Sequence, residues 1–125
     1  MFDCIGIASK NIEASISFYN IFGLDFIKYG DDHYEAQTQS GVRIMLDSHE
    51  LLKKLNPNFL EVKSPTTSFG FKKDKPTMVD ELFTSLKDSG AIVIKEPWDA
   101  FWGQRYASVL DPDGNQIDIF SPLEE

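Results

Sequence analysis

The same secondary-structure grammar is written twice along this chain, and that doubling limits the folds open to it more than any other feature. Each copy opens with a short β-branched or aromatic run around a central glycine, "CIGIA" from Cys4 and "SFGFK" from Ser68. Each then passes into a segment of helical period. In "NIEASISFYNIF", Ile12, Ile16 and Tyr19 share one helical face with Phe18 and Phe22 beside them. In "TMVDELFTSLKDSG", Met78, Leu82, Phe83 and Leu86 form the equivalent face. Asn11 is placed to cap the first helix, and Gly23 and Gly90 to end the two helices in a left-handed conformation. Thr77 and Asp80 have capping-box spacing, with aspartate where Glu or Gln is usual. Three strand-like runs close each copy: "LDFIKY", "HYEAQTQ" and "VRIMLD", then "AIVIKE", "RYASVLD" and "NQIDIF".

The predicted fold is therefore α+β, two βαβββ modules at about 1–55 and 66–125 within a single domain of residues 1–125. Between them, His49 to Leu55 offers a short helical turn, and "NPN" and Pro65 mark a linker at about 56–65. A four-stranded sheet covered by one helix leaves its other face bare. Two such modules are expected to curl those faces into one mixed sheet around a shared cleft, the default binding site.

Bulk composition excludes several classes. A hydrophobic share of 42% and a charged share of 26% belong to a globular chain with a core, not to a disordered tail. No apolar run approaches the length that crosses a bilayer, so no membrane partner is expected. The N-terminus lacks a basic segment followed by a long apolar one, so no signal peptide is expected. Cys4 is the only cysteine, which rules out an internal disulfide and suits a reducing cytoplasm. The net charge of −8 repels nucleic acid; it favours cationic ligands, or simply keeps the protein soluble.

In "DPDGN", Pro112 presets the second turn position, Asp111 accepts from backbone amides beyond it, and Gly114 takes positive φ. Asp111, Asp113 and Asn115 are accordingly turn residues, since the calcium-loop spacing with its closing glutamate is absent. Asp118, set among isoleucines on the strand that follows, is not explained by the turn. Other chemistries leave no trace. G-x-S-x-G is absent, "GFKKDK" lacks the ending of a phosphate loop, and "KKDK" reads as a solvated loop. His33 is expected to be solvated at a strand start, and His49 to begin a helix.

The doubled pattern, with "IEASISFYNIFGLDF" near the start and "WGQRYASVLDPDGNQIDIF" at the end, resembles the vicinal oxygen chelate superfamily. That group holds glyoxalase I, the extradiol dioxygenases, the fosfomycin-resistance enzymes and the bleomycin-resistance proteins. The resemblance implies a glyoxalase-like fold. In catalytic members a His or Gln opening each module and a Glu closing it hold one divalent metal. Here the matching positions are Cys4, Ser68, Met45 and Asp118, so the carboxylate survives only as Asp118, one methylene shorter. A thioether and a neutral hydroxyl are poor ligands for a divalent ion, which leaves two plausible donors where catalytic sites use three.

This departure places the resemblance nearest to the metal-free bleomycin-resistance type. It implies a small-molecule-binding protein that sequesters a cationic or aromatic ligand such as an antibiotic, with no cofactor and no catalytic residues. The implied ligand-binding residues are Cys4, Met45, Ser68, Trp102, Arg105, Tyr106 and Asp118. Edge strands and an exposed module seam lead us to expect a homodimer. The alternative is a metal-dependent lyase or dioxygenase of the glyoxalase type, with one divalent metal ion held by Asp118 and Cys4. A third reading is a regulatory module whose cleft is vestigial. Several residues keep two readings. Trp98 and Phe101 either offer stacking surface or cover the module seam. Arg105 either clamps a ligand carboxylate or pairs with an acidic neighbour. Asp118 either supplies negative charge or bonds Ser68 or Tyr106, and Cys4 suits an apolar core as well as a site.

Overall fold

The computed structural model describes residues 1–61 and 67–123. The chain divides into two compact units, Met1–Val62 and Lys63–Glu125. Part of the expected linker, residues 62–65 with Pro65, lies outside the described residues. Among the described residues no helix is long and apolar enough to cross a membrane.

The first unit runs β1 (Cys4–Ser9), α1 (Ile12–Asn20), β2 (Ile27–Lys28), β3 (His33–Gln37), β4 (Arg43–Ser48) and α2 (His49–Leu55). Its sheet has the order β1-β4-β3-β2, with β1 parallel to β4 and the other pairs antiparallel. The Asn11 side chain accepts from the Ala14 amide at the start of α1, as a cap should. Past the helix end Gly23 stands at φ +84°, where a Cβ would be strained, and the Leu24 amide turns back to the Tyr19 carbonyl. That return buries Leu24, so only two residues of "LDFIKY" remain as strand.

The buried stripe of α1 is Ser15, Phe18 and Tyr19, while Ile12 and Ile16 are only half-buried beside it. Serine is buried there for a reason. Its hydroxyl meets that of Ser9 on β1 at 2.7 Å, and both side chains are small enough for strand and helix to approach closely. Ile7, Ile44, Leu46, Phe18 and Tyr19 are buried in the same unit, each large side chain worth about 1.5–3 kcal/mol when fully buried.

The second unit repeats the plan with β5 (Ser68–Lys72), α3 (Pro76–Asp88), β6 (Ile92–Ala100), β7 (Gln104–Leu110) and β8 (Gln116–Pro122). Its order is β5-β8-β7-β6, again with one parallel pair, β5 and β8. The expected fold class is therefore seen: mixed α+β, two four-stranded mixed sheets, each built by a strand, a helix and three strands.

Three expectations need correction. The capping box at Thr77 and Asp80 does not form; α3 starts two residues earlier than a Thr77 cap implies, because Pro76 fixes its own φ at the first helical position, with Lys75 at the cap and no side-chain cap bond. Met78 points outward, 37% exposed, and Val79, three residues before Leu82 and four before Phe83, joins Leu82, Phe83 and Leu86 in the buried face. The strand expected at "AIVIKE" does not stop at Glu96, since β6 continues past Trp98 to Ala100 through two irregularities in its pairing with β7. The "DPDGN" turn forms as expected. Buried Asp111 accepts from the amides of Asp113 and Asn115 and from the Asn115 side chain, and Gly114 takes φ +87°.

Candidate functional site

Strand alternation sorts the second sheet into two faces. Ala107, Val109, Ile117 and Ile119 point to α3 and are fully buried. The opposite face carries Tyr106 and Ser108 from β7 and Gln116, Asp118 and Phe120 from β8. The hairpin register sets Tyr106 across from Phe120 and Ser108 across from Asp118.

Asp118 is 8% exposed and its carboxylate is held by three donors. The Tyr106 hydroxyl donates to Oδ2 at 2.8 Å. The Ser108 hydroxyl and the Gln116 side-chain amide donate to Oδ1 at 2.7 and 3.0 Å. Burial, then the hydrogen bond to Asp118 and its charge, push the Tyr106 phenol up to about 12, so it stays a donor at any ordinary pH. Of the readings open for Asp118, the bond to Tyr106 is the one that forms. Ser68 is exposed on β5, across from Gln116.

A run of aromatic rings leads away from this carboxylate. Tyr106 stacks on Phe120 at 5.7 Å with planes 15° apart. Trp102 meets Tyr106 edge-on at 5.4 Å, and Trp98 and Phe101 meet Trp102 in the same way at 5.6 and 5.0 Å. The Trp102 indole N–H donates to Gln104, and the Lys95 ammonium lies 4.9 Å over the Trp98 ring. Phe101 is 90% and Trp102 48% exposed, so the outer end of the run is bare.

The structure thus brings Trp102, Tyr106 and Asp118 together. Arg105 faces the other way, toward α3: it donates to both oxygens of Asp80 and to Asp99, and those carboxylates hold its charge more firmly still. It takes the acidic-pairing role. Cys4 and Met45 lie in the first unit, on adjacent strands and on the face turned away from α1; Cys4 is half-buried and opposite Arg43, Met45 opposite Gly6.

Two groups of residues escaped the sequence reading. Ser108 and Gln116, the other two partners of Asp118, follow from parity once the hairpin loop is fixed at Asp111–Asn115, so the signal was present. His33 is the second. It is not solvated but 23% exposed, between the carboxylates of Asp47 and Glu35.

The model of the Glyoxalase/Bleomycin resistance protein/Dioxygenase superfamily matches residues 2–119. The chain belongs to that superfamily. No curated protein sequence matches it. Solved structures of the same superfamily do. A glyoxalase/bleomycin resistance protein/dioxygenase family enzyme from Burkholderia phytofirmans PsJN is 25% identical, with TM-score 0.88 over 98% of each chain. A glyoxalase-related enzyme from Fulvimarina pelagi is 19% identical, with TM-score 0.84 over 97% of this chain and 87% of that one. A glyoxalase/bleomycin resistance protein/dioxygenase from Nocardioides is 20% identical, with TM-score 0.79 over 99% and 84%. The last two, at that identity, speak for the fold alone.

A glyoxalase-type metal fits the residues present poorly. A carboxylate has about four lone-pair sites, and three of those on Asp118 are taken by Tyr106, Ser108 and Gln116. Met45 and Ser68 bring a thioether and a neutral hydroxyl, weak donors for a divalent ion. Among the described residues no group of three or more His, Cys, Asp or Glu side chains is arranged to hold one.

Proposed function

We propose that the chain is a small-molecule-binding protein of the glyoxalase/bleomycin-resistance superfamily that works without a metal, by sequestering an aromatic or cationic ligand. The observation that carries this reading is the run of rings from Phe101 and Trp102 through Tyr106 to Phe120, laid beside a carboxylate already committed to protein donors. Rings of this kind offer stacking surface, and an aromatic face with a net charge of −8 behind it favours a flat cation such as an antibiotic. We extend the reading to a homodimer, because β6 is an edge strand with Ile92 and Ile94 exposed.

The rival, a metal-dependent lyase or dioxygenase, draws support from the Burkholderia protein being described as an enzyme of this family. Thermal unfolding separates the two. Metal-stripped protein is melted with Ni, Zn, Mn or Fe(II), and separately with bleomycin as a flat cationic probe. A native-state ligand at a hundred times its dissociation constant adds about 2.7 kcal/mol. The binding reading expects no metal shift, and a shift with the cation that Trp102→Ala removes. A metal shift abolished by Asp118→Ala would overturn it in favour of the enzyme.

A further inference from the structure

The face of the first sheet turned away from α1 carries a chain of charges that takes no part in the aromatic run of the second. His33 opens β3 directly across from Asp47 on β4. Its Nδ1 contacts an Asp47 carboxylate oxygen, and its Nε2 lies 2.7 Å from Glu35 Oε2. The other Glu35 oxygen accepts from Arg43 at 2.6 Å, and Arg43 reaches on to Asp3, also at 2.6 Å. A neutral imidazole has one N–H and one bare nitrogen, so it can donate to only one of two carboxylates. Only the imidazolium completes both bonds. With His33, Glu35 and Asp47 side chains 23%, 21% and 15% exposed, water substitutes for little of what is lost.

The location gives this pairing leverage. His33 follows Asp32, a non-glycine residue at φ 65°, in the turn that joins β2 to β3. The Tyr29 amide donates to the His33 carbonyl, and the Ser48 amide donates to the Asp32 carbonyl at 3.0 Å. Ser48 follows Asp47 and caps α2, its hydroxyl accepting from the Leu51 amide. One side-chain contact therefore sits where the turn, the start of β3, the end of β4 and the start of α2 meet. Beyond β3, β2 pairs over only two residues, so backbone bonds hold that edge weakly.

We propose that His33 is a proton-controlled clasp: protonated, it fastens β3 to β4 at the Asp32 turn, and on losing its proton it frees that turn and the first turn of α2. The charged groups around it are Asp47 and Arg43 from β4, Glu35 from β3 and Asp3 ahead of β1. The Lys28–Asp31 pair on β2 and the turn is 3.9 Å apart and largely in water. Cys4 is the titratable residue of β1 on this face. The bond to Asp47 first and that to Glu35 second raise the His33 pKa above its ordinary value of 6.5. A group whose native pKa is raised stabilises the fold fully below its unfolded pKa. That contribution is lost as pH climbs through the native value. The clasp is closed on the acid side and opens on the alkaline side.

The test is an NMR pH titration of the full chain, following the His33 imidazole and the exchange of the Tyr29, Ser48 and Leu51 amides. The amides of Val109 and Ile117, in the second unit, correct for the intrinsic pH dependence of exchange. The proposal expects an imidazole midpoint above 6.5 and a loss of protection at the three amides over the same interval. His33→Gln, which keeps a donor but cannot titrate, should abolish that step. Asp47→Asn should lower the midpoint, and it decides the matter with the wild type if His33→Gln does not fold. A midpoint at or below 6.5, or a step that persists in His33→Gln, would overturn the proposal.

Discussion

Asp118 is the residue on which the binding and metal readings part, and its removal has a calculable cost. In Asp118→Ala the hydroxyls of Tyr106 and Ser108 and the amide of Gln116 all lose their acceptor. Tyr106 and Gln116 are half-buried and can turn toward water, but Ser108 is 5% exposed and cannot. Stranding one buried hydroxyl costs about 1–3 kcal/mol, and each hydrogen bond to a charged acceptor is worth about 1.5–3 kcal/mol net. Against these stands the relief of no longer burying a carboxylate. The sum is roughly 2–4 kcal/mol, or on the order of 8–16 °C in melting temperature for a domain of this length.

Asp118→Asn keeps an oxygen for Ser108 and Gln116 and turns its NH2 toward Tyr106, whose hydroxyl can rotate to accept. Exchanging charged for neutral bonds should then cost only about 1–2 kcal/mol. Urea unfolding of the two variants and of Ser108→Ala, with a double-mutant cycle joining positions 108 and 118, measures the order directly. Asp118→Ala within about 0.5 kcal/mol of wild type, the range of an idle surface change, would refute the reasoning. Such a carboxylate would be free for a metal or a ligand.

Two further outcomes follow from local geometry. A Cβ at Gly70 would stand 3.0 Å from Phe120 Cε1, whereas one at Gly6 would meet the Met45 methyl at an ordinary 3.7 Å. Gly70→Ala should therefore displace the Phe120 ring from Tyr106 and cost about 1–3 kcal/mol, while Gly6→Ala should be neutral or stabilise by up to about 1 kcal/mol; thermal melts and near-UV circular dichroism check both. On the acid side, Arg43 holds the Asp3 carboxyl below its ordinary 3.8, and His33 with Arg43 holds Glu35 below 4.5. Depressed native values stabilise above the unfolded pKa, and that contribution is lost as pH falls through the native one. Melts taken from about pH 5 down to about pH 2 should then fall less steeply in Arg43→Gln than in wild type.

What the sequence disclosed and what it hid divide along a physical line. Helix caps, turn glycines and period are local, so Asn11, Gly23, Gly114 and α2 stood where the residues placed them. The start of α3 was local too, but two signals competed there, and the fixed φ of Pro76 prevailed over the weaker capping spacing of Thr77 and Asp80. Site geometry depends on register, which is non-local. Tyr106 and Asp118 could be paired because a five-residue loop of recognisable chemistry joins their strands. His33 and Asp47 lie on strands joined by a loop of the same length, Thr38–Val42, but its sequence "TQSGV" lacks the proline and aspartates that mark the other turn, and a histidine amid "DDHYEAQ" reads as hydrated until the strands are aligned. Arg105 kept two readings for the same reason, since only the placement of α3 shows that Asp80 comes within 3.0 Å.

The central glycine that opens each copy of the sequence pattern has a common cause with different consequences. In both sheets the first strand runs parallel to the last, and the glycine lies across from a residue of that last strand: Gly6 across from Met45, Gly70 across from Asp118. In the first sheet the Met45 side chain itself approaches the space a Cβ would fill; in the second the neighbouring Phe120 ring does. A long side chain lying over the glycine is thus supplied twice, once by the residue opposite and once by the residue two further on. That difference leaves position 118 free to point its short carboxylate at Tyr106 and Ser108 instead of across the strand. A glutamate at position 45 would have to give up the packing over Gly6 and would face Glu35 directly across the ladder, like charge against like. The apolar residue at Met45 and the short acid at Asp118 are therefore each accommodated by their own strand neighbours.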